Sequence, residues 1–225
     1  MTVVDAGTAV IVFARAPSPG TVKTRLIPLL GAEGAAALHA RLVEKTLETA
    51  HAAAFPRIEL HGTPGIDDPF LRSCGARFAA ALVAQAGDDL GARMHSAFES
   101  ALAARPRALL VGSDCPALTA RHLRQADRAL RDGADAVLVP CEDGGYALIG
   151  LTRADARLFD GIAWGGGTVM AGTRARLSEL GWRWRELETL WDVDRPDDYA
   201  RLIDSGLLDD RCTIEASFPR RRESS

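Results

Sequence analysis

Three acidic residues, scattered through 225 residues, are the first candidates for chemistry. Asp114, in "VGSDCP", comes directly after an apolar run that reads as a buried strand. A rigid strand end can hold a carboxylate toward a ligand. Asp192 and Asp194, in "LWDVDRPDDY", lie two residues apart just ahead of Pro196. Proline biases the residue before it toward an extended form, and i, i+2 side chains of an extended segment share a face. Mg²⁺ is usually held by one or two carboxylates together with substrate phosphates and waters. Asp114, Asp194 and Asp192 are therefore candidate ligands for Mg²⁺ or Mn²⁺. An acid-rich helix N-terminus is the alternative, and it accounts for Asp197 and Asp198 better than for Asp192.

Positive charge of matching purpose is found in "VIVFARAPSPGTVKTRL", residues 10–26. An apolar strand breaks into Pro17, Pro19 and Gly20, which suit a tight non-helical loop. Lys23 and Arg25 follow, and in an extended segment they point the same way. With Arg15 they could neutralise a diphosphate, arginine by a bidentate fork and lysine as a point charge. Arg15, Pro19, Gly20, Lys23 and Arg25 are thus candidate substrate contacts, although a solvated basic loop explains them equally. The spacing matches neither a Walker A loop nor a Rossmann G-x-G-x-x-G.

A third candidate is "CEDGGYALIGL", residues 141–151. Asp143-Gly144-Gly145 is a strong hairpin signal, which alone could explain the motif. Read functionally, it places Glu142, Asp143, Gly144 and Tyr146 over a sugar or acceptor, with Asp143 as a possible base. "AWGGGT", residues 163–168, is a glycine-rich loop carrying Trp164 ahead of a helix, suited to a lid or a backbone N–H site. The five histidines show no metal-ligand spacing, and Cys115 has no base placed near it by any motif.

These residues need a frame. Strand patterns at 9–15, 57–61, 78–85, 108–112, "DAVLVP" and "YALIGL" alternate with helical ones. The helices fall at 32–54, 67–74, from Asp88 or Asp89 to 104, from Thr119 to 131, at 169–180, and from Pro196 to about 205. That alternation predicts an α/β fold with a largely parallel sheet and one antiparallel hairpin. Hydrophobic residues make up 47% and the net charge is −3, so a core is affordable and no basic field for nucleic acid exists. Four scattered cysteines suit a reducing cytosol rather than a disulfide or zinc framework. No secretory signal is visible, and no segment reads as the roughly 20 apolar residues of a membrane span. The expectation is one cytoplasmic domain over 1–210, with a disordered basic tail at 211–225.

Taken in order, "FARAPSPGTVKTRL", "GDDLGARM", "VGSDCPALT", "EDGGYALIGL" and "WDVDRPDDY" resemble a bacterial glycosyltransferase-like family over about residues 9–205. It is known as the arsenosugar-biosynthesis glycosyltransferases or radical-SAM/selenodomain-associated transferases. The resemblance implies a GT-A, nucleotide-diphospho-sugar transferase fold, a Rossmann-like three-layer sandwich. That superfamily also holds guanylyltransferases, whose basic loop and metal aspartates are similar to Lys23, Arg25, Asp114 and Asp194. The chain departs from the family's common "W-G-T-S" at Gly166 and Gly167, from a second aromatic at Ala147, and from a threonine at Arg195.

Three readings follow. In the first, a metal-dependent glycosyltransferase binds a nucleotide-sugar with its diphosphate on Lys23, Arg25 and the metal. The second is a nucleotidyltransferase that takes an NTP and a phosphorylated acceptor and releases pyrophosphate. The third is a nucleotide-binding domain without catalysis. The family likeness favours the first.

Overall fold

The opening strand, β1 (Thr8–Arg15), is buried at every residue but the last, as a strand covered on both faces must be. The computed structural model describes residues 7–208. After β1 come α1 (Ile27–Ala52), β2 (Arg57–Thr63), α2 (Pro69–Arg77), β3 (Ala81–Ala84), α3 (Leu90–Ala104), β4 (Arg107–Val111) and α4 (Ala120–Arg131). The second half adds β5 (Ala136–Pro140), β6 (Tyr146–Leu151), α5 (Val169–Glu179), β7 (Trp184–Glu186) and α6 (Pro196–Ser205). The strands form one sheet in the order β3-β2-β1-β4-β6-β5-β7. Every neighbouring pair is parallel except the two that β6 makes, with β4 and β5.

Alternation along β1 sorts the core into two layers. Val10 and Val12 face α1, α2 and α4 through Val43, Leu47, Leu71 and Leu123. Ile11 and Phe13 face α3 and α5 through Met94, Phe98 and Leu177. The result is the helix–sheet–helix sandwich expected of the sequence. A smaller cluster of Leu26, Leu38, Leu42, Val193 and Leu202 ties α6 to α1.

Several boundaries differ from expectation for local reasons. α1 starts at Ile27 because Pro28 suits a first turn and Gly31 (φ 73°) takes a kink inside the helix. Thr24–Ala52 is long and apolar enough to cross a membrane by composition, which amends the expectation that no segment is. In the fold, its Leu38, Leu42, Val43 and Leu47 are buried in the protein core. The strand expected at 78–85 shrinks to four residues, because Phe78 closes α2 and Ala79 takes a positive φ of 50°. Asp89, of the two proposed caps, accepts a hydrogen bond from the Ala92 N–H of α3. Leu90, expected in the buried stripe of α3, is 42% exposed. The tail expected at 211–225 lies outside the described residues.

The chain runs outward from β1 through β2 to β3, then returns to place β4 on the other side of β1. Open α/β sheets bind ligands at such a switch point, beyond the carboxyl ends of the strands. Both clefts described below open there.

Candidate active site

Two adjoining clefts share Phe13, Arg25, Leu90, Gly112, Asp114 and Asp194. The first, of about 440 Å³, extends toward the β5–β6 hairpin and is lined further by Asp143, Tyr146, Trp164 and Asp192. The second, of about 550 Å³, extends toward β2 and takes Arg15, Lys23, His39, Thr63, Gln85 and Arg93. The candidates named from the sequence thus meet along one groove, with four exceptions given below.

Lys23 and Arg25 do not share an extended segment. Lys23 takes a left-handed conformation (φ 46°) and Thr24–Leu26 winds into a 3₁₀ turn, so the two side chains part company. That of Lys23 is 4% exposed and that of Arg25 is 58% exposed. The buried ammonium stands 2.6 Å from Asp114 Oδ1 and donates to the Val193 carbonyl at 2.7 Å. A non-glycine residue with positive φ carries strain, and these two bonds hold it in place. Arg25 instead pairs across the groove with Asp194.

The same bonds explain how a segment far along the chain reaches Asp114. Val193 N–H donates to the Asp114 carbonyl at 2.9 Å, and Leu190 N–H to the Pro140 carbonyl at 2.9 Å. The loop is therefore laced across the ends of β4 and β5. Its far end is fixed by Asp198, whose carboxylate accepts the N–H groups of Asp194 and Arg195.

Electrostatics separates the acids. Removal from water disfavours the charged form of Asp114, yet the Lys23 ammonium holds its carboxyl below the usual carboxylate range. Asp192 moves the other way. Removal from water, then repulsion by Asp143 and Asp114, pushes it up to about 6. Carboxylates that repel one another at the edge of a groove fit a hard divalent cation, which relieves the repulsion. Among the described residues, no three His, Cys, Asp or Glu side chains are gathered into a ready-made metal site. A cation held by one or two carboxylates plus phosphates requires no such gathering.

Four sequence candidates, Pro19, Gly20, Glu142 and Gly144, stand apart from the groove lining. Pro19 and Gly20 are exposed in the turn closed by Thr21 on Ser18. Glu142 turns away to make two bonds with Arg201, which also lies over the Trp191 ring. The expected position of Glu142 over a sugar is thereby corrected: its partner is α6. Asp143 stays at the groove, with Oδ1 accepting the Gly145 N–H at 2.8 Å. Gly144, at φ 88°, makes the hairpin's close approach to the glycine-rich loop, and its carbonyl accepts from Met170 N–H at 2.8 Å. A Cβ at Gly166 would meet only the Ala163 carbonyl at 3.6 Å, so the backbone does not exclude a side chain there.

His39, Gln85 and Arg93 were not singled out from the sequence. Arg93 lay within the motif "GDDLGARM", but a helical arginine is unremarkable without its neighbours. His39 Nε2 lies 3.0 Å from the Arg15 carbonyl and Nδ1 has no hydrogen-bond partner. Burial lowers its pKa, with Asp114 opposing. Gln85 donates from Nε2 to the carbonyls of His61 and Ala14. Cys115 and Cys141 are buried at the groove floor. A hydrogen bond with Cys115, then burial, pushes the Cys141 thiol up, so it is no nucleophile at neutral pH.

Residues 46–166 match the model of a family described as an uncharacterized protein conserved in bacteria (DUF2064). The chain belongs to that family. The DUF2064 match takes in Asp114, the Asp143 hairpin and Trp164, while Lys23, Arg25, Asp192 and Asp194 lie outside it. Among solved structures, a Desulfovibrio desulfuricans G20 protein, provisionally named a nucleotide-diphospho-sugar transferase, is 30% identical. The match covers 88% of this DUF2064 chain and 87% of that one, with a TM-score of 0.80. A nucleotidyl transferase from Methanothermobacter is 17% identical, with coverages of 89% and 98% and a TM-score of 0.58. Glucosyl-3-phosphoglycerate synthase of Mycobacterium tuberculosis, solved with Mn²⁺, UDP and glucosyl-3-phosphoglycerate, is 10% identical, with coverages of 89% and 76% and a TM-score of 0.52. The last two show a shared fold. No curated protein matches the chain in sequence.

Proposed function

We propose that this protein is a metal-dependent glycosyltransferase that moves a sugar from a nucleotide-diphospho-sugar to a small acceptor. One observation carries the reading: a continuous groove has a cationic half and an acidic, aromatic half, and they meet at Asp114 and Asp194. A nucleotide-sugar complements it, anionic at the diphosphate and neutral at the sugar. The motif likeness to arsenosugar-biosynthesis glycosyltransferases and the match to the Desulfovibrio protein support the same choice.

In this reading Arg15, Arg25 and Arg93 hold the phosphates, with Thr63 and Gln85 beside the nucleoside. Asp114 and Asp194, with Asp192, would hold Mg²⁺ or Mn²⁺. When bound, the ion offsets the charge that develops on the departing nucleoside diphosphate. Lys23 acts from beneath, keeping Asp114 ionised and pinning Val193, and so fixes the loop that carries Asp192 and Asp194. The acceptor oxygen forms a bond to the anomeric carbon as the carbon–oxygen bond to the diphosphate breaks, its electron pair leaving with the diphosphate. The acceptor's proton passes to Asp143, whose Oδ2 is not the atom tied to Gly145. Cys74, Cys115 and Cys141 are free thiols, which suits a cytoplasmic enzyme acting on small molecules.

The test is product identification with a panel of nucleotide-sugars and NTPs in Mn²⁺ or Mg²⁺. Release of a nucleoside diphosphate from one nucleotide-sugar is the expected result. Pyrophosphate release from an NTP, with no turnover of nucleotide-sugars, would establish nucleotidyl transfer instead. Nucleotide binding in calorimetry with turnover of neither substrate class would leave a non-catalytic nucleotide-binding domain.

A further inference from the structure

The acceptor half of the groove differs from the nucleotide half in a way that restricts what can enter it. Its walls are Phe13, Leu90, Met94, Leu110, Tyr146 and Trp164. Trp164 is held in place by Phe159, at a ring distance of 6.4 Å, and by Gly91, where a Cβ would come within 2.8 Å of the indole Nε1. Half-exposed Leu90 faces the same space from α3. An apolar, aromatic slot of this kind recognises an apolar body by area and shape.

Its charge is one-sided. Asp114, Asp143, Asp192 and Asp194 line this half, and among the described residues Arg25 is its one cationic side chain. Arg25 is already engaged with Asp194. Arg15, Lys23 and Arg93 belong to the other cleft. A bound divalent cation, Arg25 and the Lys23 ammonium against Asp114 would together only balance the four carboxylates, with no positive charge left over, and the donor's diphosphate would add negative charge beside them. An acceptor bearing a phosphate or carboxylate would find no free cation here, and like charges brought together in a partly dry site repel strongly.

We propose that the acceptor carries no phosphate or carboxylate: it is a neutral or cationic hydroxyl or amine compound whose apolar body lies against Trp164, Leu90 and Phe13. This rests on the transferase reading above and deepens it. It also sets this site apart from one that would take the phosphorylated acceptor of a nucleotidyl transfer. Cationic acceptors gain twice, from the carboxylates and from the aromatic faces.

The test uses three probes with one aromatic body, 2-phenylethylamine, 2-phenylethanol and 2-phenylethyl phosphate. Each is titrated into the full chain by calorimetry and saturation-transfer NMR, with and without a nucleoside diphosphate and Mn²⁺. The amine and alcohol are expected to bind at least about tenfold more tightly than the phosphate ester. The margin of amine over alcohol should shrink in Asp143→Asn, while nucleotide affinity stays unchanged. A phosphate ester that binds as well as the amine would overturn the proposal, as would failure of both amine and alcohol to bind. Nucleotide binding is read separately in the same titrations. Charge preference without nucleotide binding would refute the transferase reading, and the slot would then be a binding site for neutral or cationic apolar compounds rather than an acceptor site.

Discussion

Replacing Asp192 with asparagine removes a carboxylate whose ionisation is opposed by burial and by its acidic neighbours. In the metal-free protein, removal from water and the charges of Asp143 and Asp114 raise the Asp192 carboxyl from 3.8 to about 6. Unscreened, that change corresponds to about 3 kcal/mol. Asp192 is only half-buried, so water screens part of it and about 1–2 kcal/mol is expected. The sign follows from which state binds the proton more tightly. The folded chain keeps this proton to about pH 6, whereas the unfolded chain releases it near 3.8. Stability from this group is therefore full at low pH, falls between about pH 4 and 6, and is lost above that. Asparagine never ionises and escapes the loss. Asp192→Asn should match the wild type near pH 4 and gain about 3–6 °C in Tm at pH 8 without metal. With Mn²⁺ at pH 8 the order should narrow or reverse, because the wild type alone has the extra ligand. Thermal unfolding from pH 4 to 8, with and without Mn²⁺, reads all of this. A Tm difference independent of pH, or a variant less stable than wild type at pH 8 without metal, would refute the reasoning.

Three other substitutions test the groove. Asp114→Asn should abolish metal-dependent stabilisation by nucleotide, which for a wild type at 100 times the dissociation constant is roughly 2.7 kcal/mol, a shift of about 5–10 °C; an undiminished shift would remove Asp114 from the metal site. Lys23→Ala strips the half-exposed Asp114 of its partner and frees Val193, so urea unfolding should show a loss of about 1–3 kcal/mol, and an unchanged midpoint would contradict a stabilising role for the buried ammonium. Gly144→Ala adds a Cβ at positive φ and drives it into the Gly167 carbonyl. It should cost at least about 2 kcal/mol and expose the 163–168 loop to protease, and a variant with wild-type stability and resistance would place that loop elsewhere.

Much of this protein could be read along the chain, because much of it is local. The buried runs at 9–15 and 136–140, the cap at Asp89, the Asp143-Gly144-Gly145 turn and Pro196 in the first turn of α6 each depend on residues within a few positions. Side-chain period, capping and turn chemistry act over that range, so order and type of elements followed from sequence. The acids that line one groove were named for the same reason: each sits at a strand end or an extended segment whose exit direction is local.

What the residues do there was decided at long range. Lys23 and Arg25, two apart, were expected to act alike. Instead one is buried against Asp114 and Val193, and the other crosses the groove to Asp194. Glu142 belongs to Arg201, 59 residues away. His39 and Gln85 enter the site from segments whose local sequence carries no sign of it, and Arg93 from a motif that does not mark it out among its neighbours. Partner choice, burial and the field at Asp192 are properties of side chains brought together from across the sheet. Hydrogen bonds and desolvation act between spatial neighbours, so only the folded chain shows which charge is spent on structure and which is left for a ligand.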